Sequence, residues 1–460
     1  MRALWMGLLL ISCACVAQDN WRDAGMPHQT VGVREVFTDN IGDSLIAVGL
    51  ITEVGDYGTL SMLQYRSGQW RTFATASGWV YTAVRYGDTL VIGGNLRAVN
   101  GVTVSRIAAR FDGQWHPFGT FGDVGEDLGN WSIRKLRVLE GTLYAVGSFE
   151  FADGELCNGI AKRENGQWVN VGDLEYIAAD PILVDVIEYQ GDIYACGAVS
   201  LAPNGARGII RYDGTSWTAP GGGILGGPSG GLCMAIYQDE LILGGTIHRS
   251  AGNPGHMIMR WNGEEWRGLG GHLRDQNNDT IGEARCYALL PYEDKLLVAG
   301  GFWYAGGVPA SRFAIWDGTN WCGTGDEWEG YGESLTIFDD TLFMASGYEV
   351  NGMPVDRVAK WVGGPIEGVE CTTVGVSEER RAADPIVYPN PSNGLFTLNA
   401  ERHANAPYRI LDPLGRVISY GRLDALGSAT LDLKHTASGV YTLSIDKGSL
   451  GRLNLPLIHE

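Results

Sequence analysis

The sequence predicts an all-β chain: a seven-bladed β-propeller with four antiparallel strands per blade, followed by a small C-terminal β-sandwich. Three observations predict it. A unit of roughly 50 residues, the period of a propeller blade, recurs along the first four-fifths of the chain. Each copy consists of alternating apolar runs punctuated by small residues and anchored by a tryptophan, in a chain of 460 residues with 67 Gly and 15 Trp. A second, turn-rich β segment then follows a charged connector.

The N-terminus, "MRALWMGLLLISCACVAQ", has one basic residue, a short apolar run and Cys15-Val16-Ala17 as a small-x-small cleavage site. It reads as a secretory signal over residues 1–17. Leu10-Ile11-Ser12-Cys13 also fits a lipobox that would lipidate Cys13, so the type of signal peptidase stays open. No later apolar run approaches a membrane span.

Residues 18–372 carry the repeats. "LVIGGNLRAVNGVTVSRIAARFDGQW" from Leu90, "LYAVGSFEFADGELCNGIAKRENGQW" from Leu143 and "LLVAGGFWYAGGVPASRFAIWDGTNW" from Leu296 superimpose without gaps. Further copies start at Leu45, Ile193, Leu241 and Leu342. In each, an apolar run ends in a small pair such as Gly93-Gly94, which permits close backbone approach or an abrupt strand end. A loop follows, then a strand, a two-residue turn such as Asp112-Gly113, and a last strand opened by Trp. Another apolar run precedes each copy, which makes four strands per unit. The chain begins in mid-unit with "NWRDAG", and the last copy lacks its Trp strand. The N-terminal strand is therefore expected to complete blade seven and remove a free edge; "PIEGVEC" at 365–371 is the rival donor.

The glycine pair followed by an aromatic residue and then Trp resembles kelch-type propeller repeats, as in the central domain of galactose oxidase. WD40 and sialidase signatures do not fit the spacing.

Repeat-position tryptophans are expected to pack blade against blade. Four others, Trp79, Trp131, Trp303 and Trp328, fall outside that position, and strand order puts them with Tyr331 on one rim. That rim carries the long connections, where binding residues concentrate. His248, His256 and His272 fall there too, and all eight residues are expected ligand contacts. Asp275, Asn277 and Asp279 resemble part of a calcium loop, without its turn glycine; no other cofactor is expected. No nucleophile triad or zinc-protease motif is present, and the functional expectation is a binding or adhesion module for glycan or protein. The alternative is a secreted enzyme acting on polysaccharide or sugar.

The formal charge is −19, and residues 384–460, with seven acidic and seven basic side chains, are neutral. The acidic body makes nucleic acid and anionic lipid poor partners. Six cysteines follow the signal without a C-x-x-C pair, which argues against zinc. Cys233 and Cys286 occupy equivalent positions in adjacent blades and are expected to be bonded, with free buried thiols as the alternative.

Residues 373–384 form a linker, and residues 385–460 hold "YPNPSNGLFTL", "YRILDPLGRVI" and "LDLKHTASGVYTLSI" in that order. Their prolines, Asn393-Gly394 and Leu414-Gly415 are strand-and-turn chemistry. Together they resemble the type A C-terminal sorting domain of type IX secretion in Gram-negative bacteria. The resemblance rests on Tyr388, Pro389, Asn390, Pro391 and Gly394, on Asp412, Gly415 and Arg416, and on Gly439 and Tyr441. It implies export through the periplasm to the cell surface or medium, with the outer-membrane secretion machinery as partner. Pro456 interrupts a last strand that is usually unbroken in that family.

Overall fold

A computed structural model describes residues 20–459 apart from 28–29, 53–59, 123–130, 178–180, 204, 225–229, 249–252, 277–283, 346, 367–370, 372–385, 389, 391, 401–404, 425–427 and 447–451. The predicted signal, linker, Pro389, Pro391, Asn277 and Asp279 lie outside the described residues. The chain divides into two compact units, Met1–Thr372 and Thr373–Glu460.

The first unit is all-β. Among the described residues, seven antiparallel sheets share one plan of four successive strands. Their first strands are Thr30–Asp39, Val80–Tyr86, Ile133–Leu139, Ile182–Tyr189, Gly230–Tyr237, Cys286–Tyr292 and Ser334–Phe338. Each of these adjoins the first strand of the sheet before and after it, and Ser334–Phe338 adjoins Thr30–Asp39. Side chains bridge that last junction: the Thr38 hydroxyl donates to the Ile337 carbonyl at 2.6 Å, and the Val36 N–H to Ser334 Oγ at 3.3 Å. In the seventh sheet the fourth strand is Trp21–Asp23, paired with Val358–Trp361 in the register Trp21↔Trp361. Trp21 is fully buried, edge-on to Phe313, Trp328 and Trp361 at 5.1–5.4 Å.

The repeated tryptophan does two things. Its ring fills the space between sheets, and at five of the seven repeat positions its indole N–H reaches a carbonyl just beyond the fourth strand of the preceding sheet. The pairs are Trp70 with Ala24, Trp168 with Phe118, Trp217 with Val171, Trp266 with Pro220 and Trp321 with Leu269, at 2.8–3.0 Å. At these five positions one residue type satisfies packing and polarity together, whereas the buried indole N–H groups of Trp21 and Trp115 have no hydrogen-bond partner among the described residues.

Three small sheets add a second tie. Phe121–Gly122 pairs with Phe151–Ala152, Leu273–Arg274 with Tyr304–Ala305, and Trp328–Glu329 with Glu349–Val350. In each case the segment leaving one sheet pairs with the connection between strands two and three of the next. The turn residues Asp153 and Asn351, both at positive φ, accept N–H groups of the incoming segment from Thr120 and Glu327 at 2.8 Å.

The second unit holds a three-stranded sheet of Ile386–Tyr388, Leu395–Asn399 and Ser428–Asp432. A four-stranded sheet follows the order Val417–Arg422, Pro407–Leu411, Gly439–Asp446, Arg452–His459. Phe396, Leu398, Ile410, Leu443, Ile445 and Leu457 form its core. Asn390 fastens the last strand: its amide donates to the Pro456 carbonyl and its oxygen accepts from the Ile458 N–H, both at 2.8 Å. Asp412 organises the 412–416 turn, accepting from the Leu414 and Arg416 N–H groups, while Arg416 Nε donates to its second oxygen at 2.7 Å. Gly415 takes φ 78° there, and the Tyr441 hydroxyl closes onto the Ala437 carbonyl. Pro456 does not break its strand. It sits on an edge strand, opposite Thr442, where a missing N–H costs little.

Candidate functional site

The first strands of six of the seven sheets carry an irregularity near their start, with a second one in the first sheet between Thr30 and Gly32. Register shifts fall between Val33 and Glu35, Val80 and Thr82, Ile133 and Lys135, Leu183 and Asp185, Gly231 and Cys233, and Cys286 and Ala288. The residues left over are Arg34, Tyr81, Arg134, Val184, Leu232 and Tyr287. In the seventh sheet Glu333 takes this place, its N–H donated to the carbonyl of Ala345, the partner of Ser334. A β-bulge re-aims a side chain out of the alternation of its strand. These seven residues are half-buried or exposed, although buried residues flank them.

A glycine opposite the bulge in each of the six second strands (Gly49, Gly94, Gly147, Gly197, Gly245 and Gly300) explains how the bulge is accommodated. A Cβ on Gly147 would collide with the carbonyl oxygen of Ser132, and one on Gly94 with that of Trp79. The bulged backbone presses against the partner strand at that point, and only hydrogen fits.

The six bulge residues and Glu333 line one central cavity of about 220 Å³. Its wall also holds Glu35, Lys135, Arg137 and Asp185. Arg137 clamps Asp185 with two bonds of 2.8 Å, and the second Asp185 oxygen accepts the Met234 N–H at 2.8 Å. Burial alone would lower the Arg137 pKa, but the Asp185 carboxylate more than offsets this and raises it. Lys135 pairs with Glu35, which also accepts the Ala83 N–H. Arg34 pairs with Glu333 at 2.7 Å; burial nevertheless pushes the Glu333 carboxyl up. Arg134 lies over the Tyr81 ring at 4.7 Å, and its buried Nε has no hydrogen-bond partner among the described residues.

Aromatic groups continue outward from this ring. Trp79, 44% exposed, lies 5.8 Å from Tyr81. Arg312 lies over Trp303 at 4.5 Å and Tyr331 at 5.8 Å, and Tyr331 lies 6.0 Å from Tyr287. Thus Trp79, Trp303 and Tyr331 share the pocket side. Trp131 is half-buried just ahead of Ile133.

Two expected ligand residues are corrected. Trp328 is 1% exposed, because its segment pairs with Glu349–Val350 and its ring packs on Trp21. His256 is fully buried between His248 and His272, each 6.2 Å away. Burial foremost, then His272, His248 and Arg274, lower its pKa to about 4. His248 and His272 are half-buried, and Asp275 is the only described member of the calcium triplet. The predicted Cys233–Cys286 disulfide is also corrected: the sulfurs lie 3.7 Å apart as thiols, whereas Cys322 and Cys371 are bonded. Equivalent positions do meet, but Gly244 of the intervening strand packs against both sulfurs.

Sequence reasoning missed the bulge ring. A signal was available: Tyr81, Arg134, Val184, Leu232 and Tyr287 each stand thirteen residues before a glycine (Gly94, Gly147, Gly197, Gly245 and Gly300).

No curated protein sequence matches the chain. Solved structures are similar at low identity. The extracellular domain of a one-component system from B. thetaiotaomicron is 14% identical at TM-score 0.43, covering 93% of this chain and 56% of that one. The WD40 β-propeller domain of Doa1 is 13% identical at TM-score 0.40, covering 74% and 96%. PorZ, a surface component of the type-IX secretion system of Porphyromonas gingivalis, is 11% identical at TM-score 0.30, covering 93% and 81%. The chain thus spans little more than half the length of the first of these. Residues 386–453 match the family described as "Secretion system C-terminal sorting domain". Asn390, Asp412 and Arg416 hold the turns and last strand of that segment together. The C-terminal unit is therefore a secretion-system sorting domain, and it directs the protein by type IX export to the cell surface or extracellular space.

Proposed function

We propose that the first unit is a closed, seven-bladed, kelch-like propeller, with Trp21–Asp23 completing the last blade, and that its pocket-bearing face binds glycan or protein outside the cell. One observation carries this reading: the first strands of six sheets each contribute a bulged side chain, and Glu333, just before the first strand of the seventh, adds another, to one central pocket. Trp79, Trp303 and Tyr331 extend the same face with surfaces suited to stacking. Each pocket carboxylate, Glu35, Asp185 and Glu333, is engaged by a cation. That arrangement suits recognition better than acid–base chemistry, which needs a carboxyl free to exchange its proton.

The test is a screen of the purified full chain against immobilised glycans and bacterial surface proteins. Trp79→Ala and Trp303→Ala should weaken the interaction found at least fivefold, with the melting temperature within a few degrees of the parent. Failure to retain any ligand, or binding unaffected by both substitutions, would remove the reading.

A further inference from the structure

The pocket is cationic in a chain of net charge −19. Its wall holds Arg34, Arg134, Lys135 and Arg137 against Glu35, Asp185 and Glu333. Three of the cations are matched by carboxylates. The fourth, Arg134, has the Tyr81 ring beneath it, and its buried Nε has no hydrogen-bond partner among the described residues. The bulge ring is also two-sided. Glu333, Arg34, Tyr81 and Arg134 make one arc, and Val184 and Leu232 the next, with Tyr287 completing the circle.

An arginine set over an aromatic ring rather than paired with a carboxylate has guanidinium N–H groups to offer a planar anion. A carboxylate meets such groups with two parallel hydrogen bonds. The cavity, at about 220 Å³, is below the size of a typical drug-like ligand site, so it admits a single ring-sized residue rather than a folded surface. Its lining combines the polar residues Tyr81, Tyr287, Ser334 and Glu35 with the apolar Val184 and Leu232, a mixture that suits a hydroxylated ring. We propose that the pocket binds an acidic sugar residue, its carboxylate on Arg134 with Arg34 nearby and its ring against Val184 and Leu232. The inference rests on the binding role given to this face and assigns the class of ligand.

The experiment is calorimetric titration of the full chain with D-glucuronate, D-glucose and a tetra-aspartate peptide, repeated with Arg134→Gln and Val184→Asp. A charge-assisted pair is worth about tenfold or more in affinity. Glucuronate should therefore bind at least tenfold more tightly than glucose, with affinity falling as salt rises. Both substitutions should weaken it at least tenfold; the second places an anion at the pocket without touching Arg134, so a folding defect in one variant does not decide the outcome. Equal affinity for glucose, undiminished glucuronate binding by either folded variant, no glucuronate binding by the parent chain, or tighter binding of the peptide would each overturn the proposal. If the proposal fails while glycans or proteins still depend on Trp79, the binding face stands and only the ligand class is wrong. Loss of every ligand in the screen removes the face itself.

Discussion

Asp185 joins three sheets. It is 3% exposed, receives both forks of Arg137 from the third sheet, and accepts the Met234 N–H from the fifth. Asp185→Ala would strip the Arg137 guanidinium of its carboxylate, leaving it the Met234 carbonyl at 3.1 Å, and would leave the Met234 N–H without its acceptor in the pocket wall. Breaking a buried pair from one side costs about 3–5 kcal/mol. The Arg137 side chain keeps 29% exposure, so water offsets part of this and about 3 kcal/mol is expected. An unfolding entropy of about 2.1 cal/mol/K per residue over roughly 350 residues gives about 0.7 kcal/mol/K. The melting temperature of the first unit should therefore fall by about 4 °C. Differential scanning calorimetry of the full chain at pH 7 reads this directly. Arg137→Leu combined with Asp185→Leu should recover most of the loss, because no charge is then stranded. A shift below about 1 °C for Asp185→Ala, or a double variant no better than the single, would refute the account of the pair.

Gly147→Ala should cost about 1–3 kcal/mol, since the added methyl meets the Ser132 backbone rather than a movable side chain. Gly122→Ala, with open space around it, should be near neutral, and chemical denaturation distinguishes the two. Non-reducing peptide mapping should join Cys322 to Cys371 and find Cys157, Cys196, Cys233 and Cys286 as thiols; a Cys233–Cys286 link would contradict the structure. His256, with a folded-state pKa of about 4 against an ordinary 6.5, takes up its proton more readily in the unfolded chain. Stability should thus be full above pH 6.5 and decline as pH falls towards 4, by up to about 3 kcal/mol. His256→Phe should flatten that part of the pH profile, and an unchanged slope would exonerate His256.

What was readable in the sequence is what repeats. The spacing of Leu to Trp exposed the four-strand unit, and the orphan Trp21 marked the strand that pairs with Val358–Trp361. The sorting domain was readable because Asp412 and Arg416 close a local turn and Asn390 ties the distant last strand, with bonds that few other residues supply. Trp328 was misread because departure from the repeat position was equated with exposure; the residue instead opens a short strand that no periodicity announces. Cys371 lies beyond the last repeat, so register offered no partner for Cys322. The bulge ring was obscured for a related reason. One extra residue per strand reverses the inside–outside alternation from which facing is inferred, so the strand pattern does not mark Arg34 and Arg134 as facing a common pocket.

The bulge also separates two demands that usually conflict. Pairing and packing constrain the residues on either side of it, whereas the bulged side chain contributes little to either. Each sheet therefore offers one position at which chemistry can change while the scaffold persists. A library varying only Arg34, Tyr81, Arg134, Val184, Leu232, Tyr287 and Glu333 would sample a broad range of recognition properties on one backbone. Selection in nature has the same seven letters to work with.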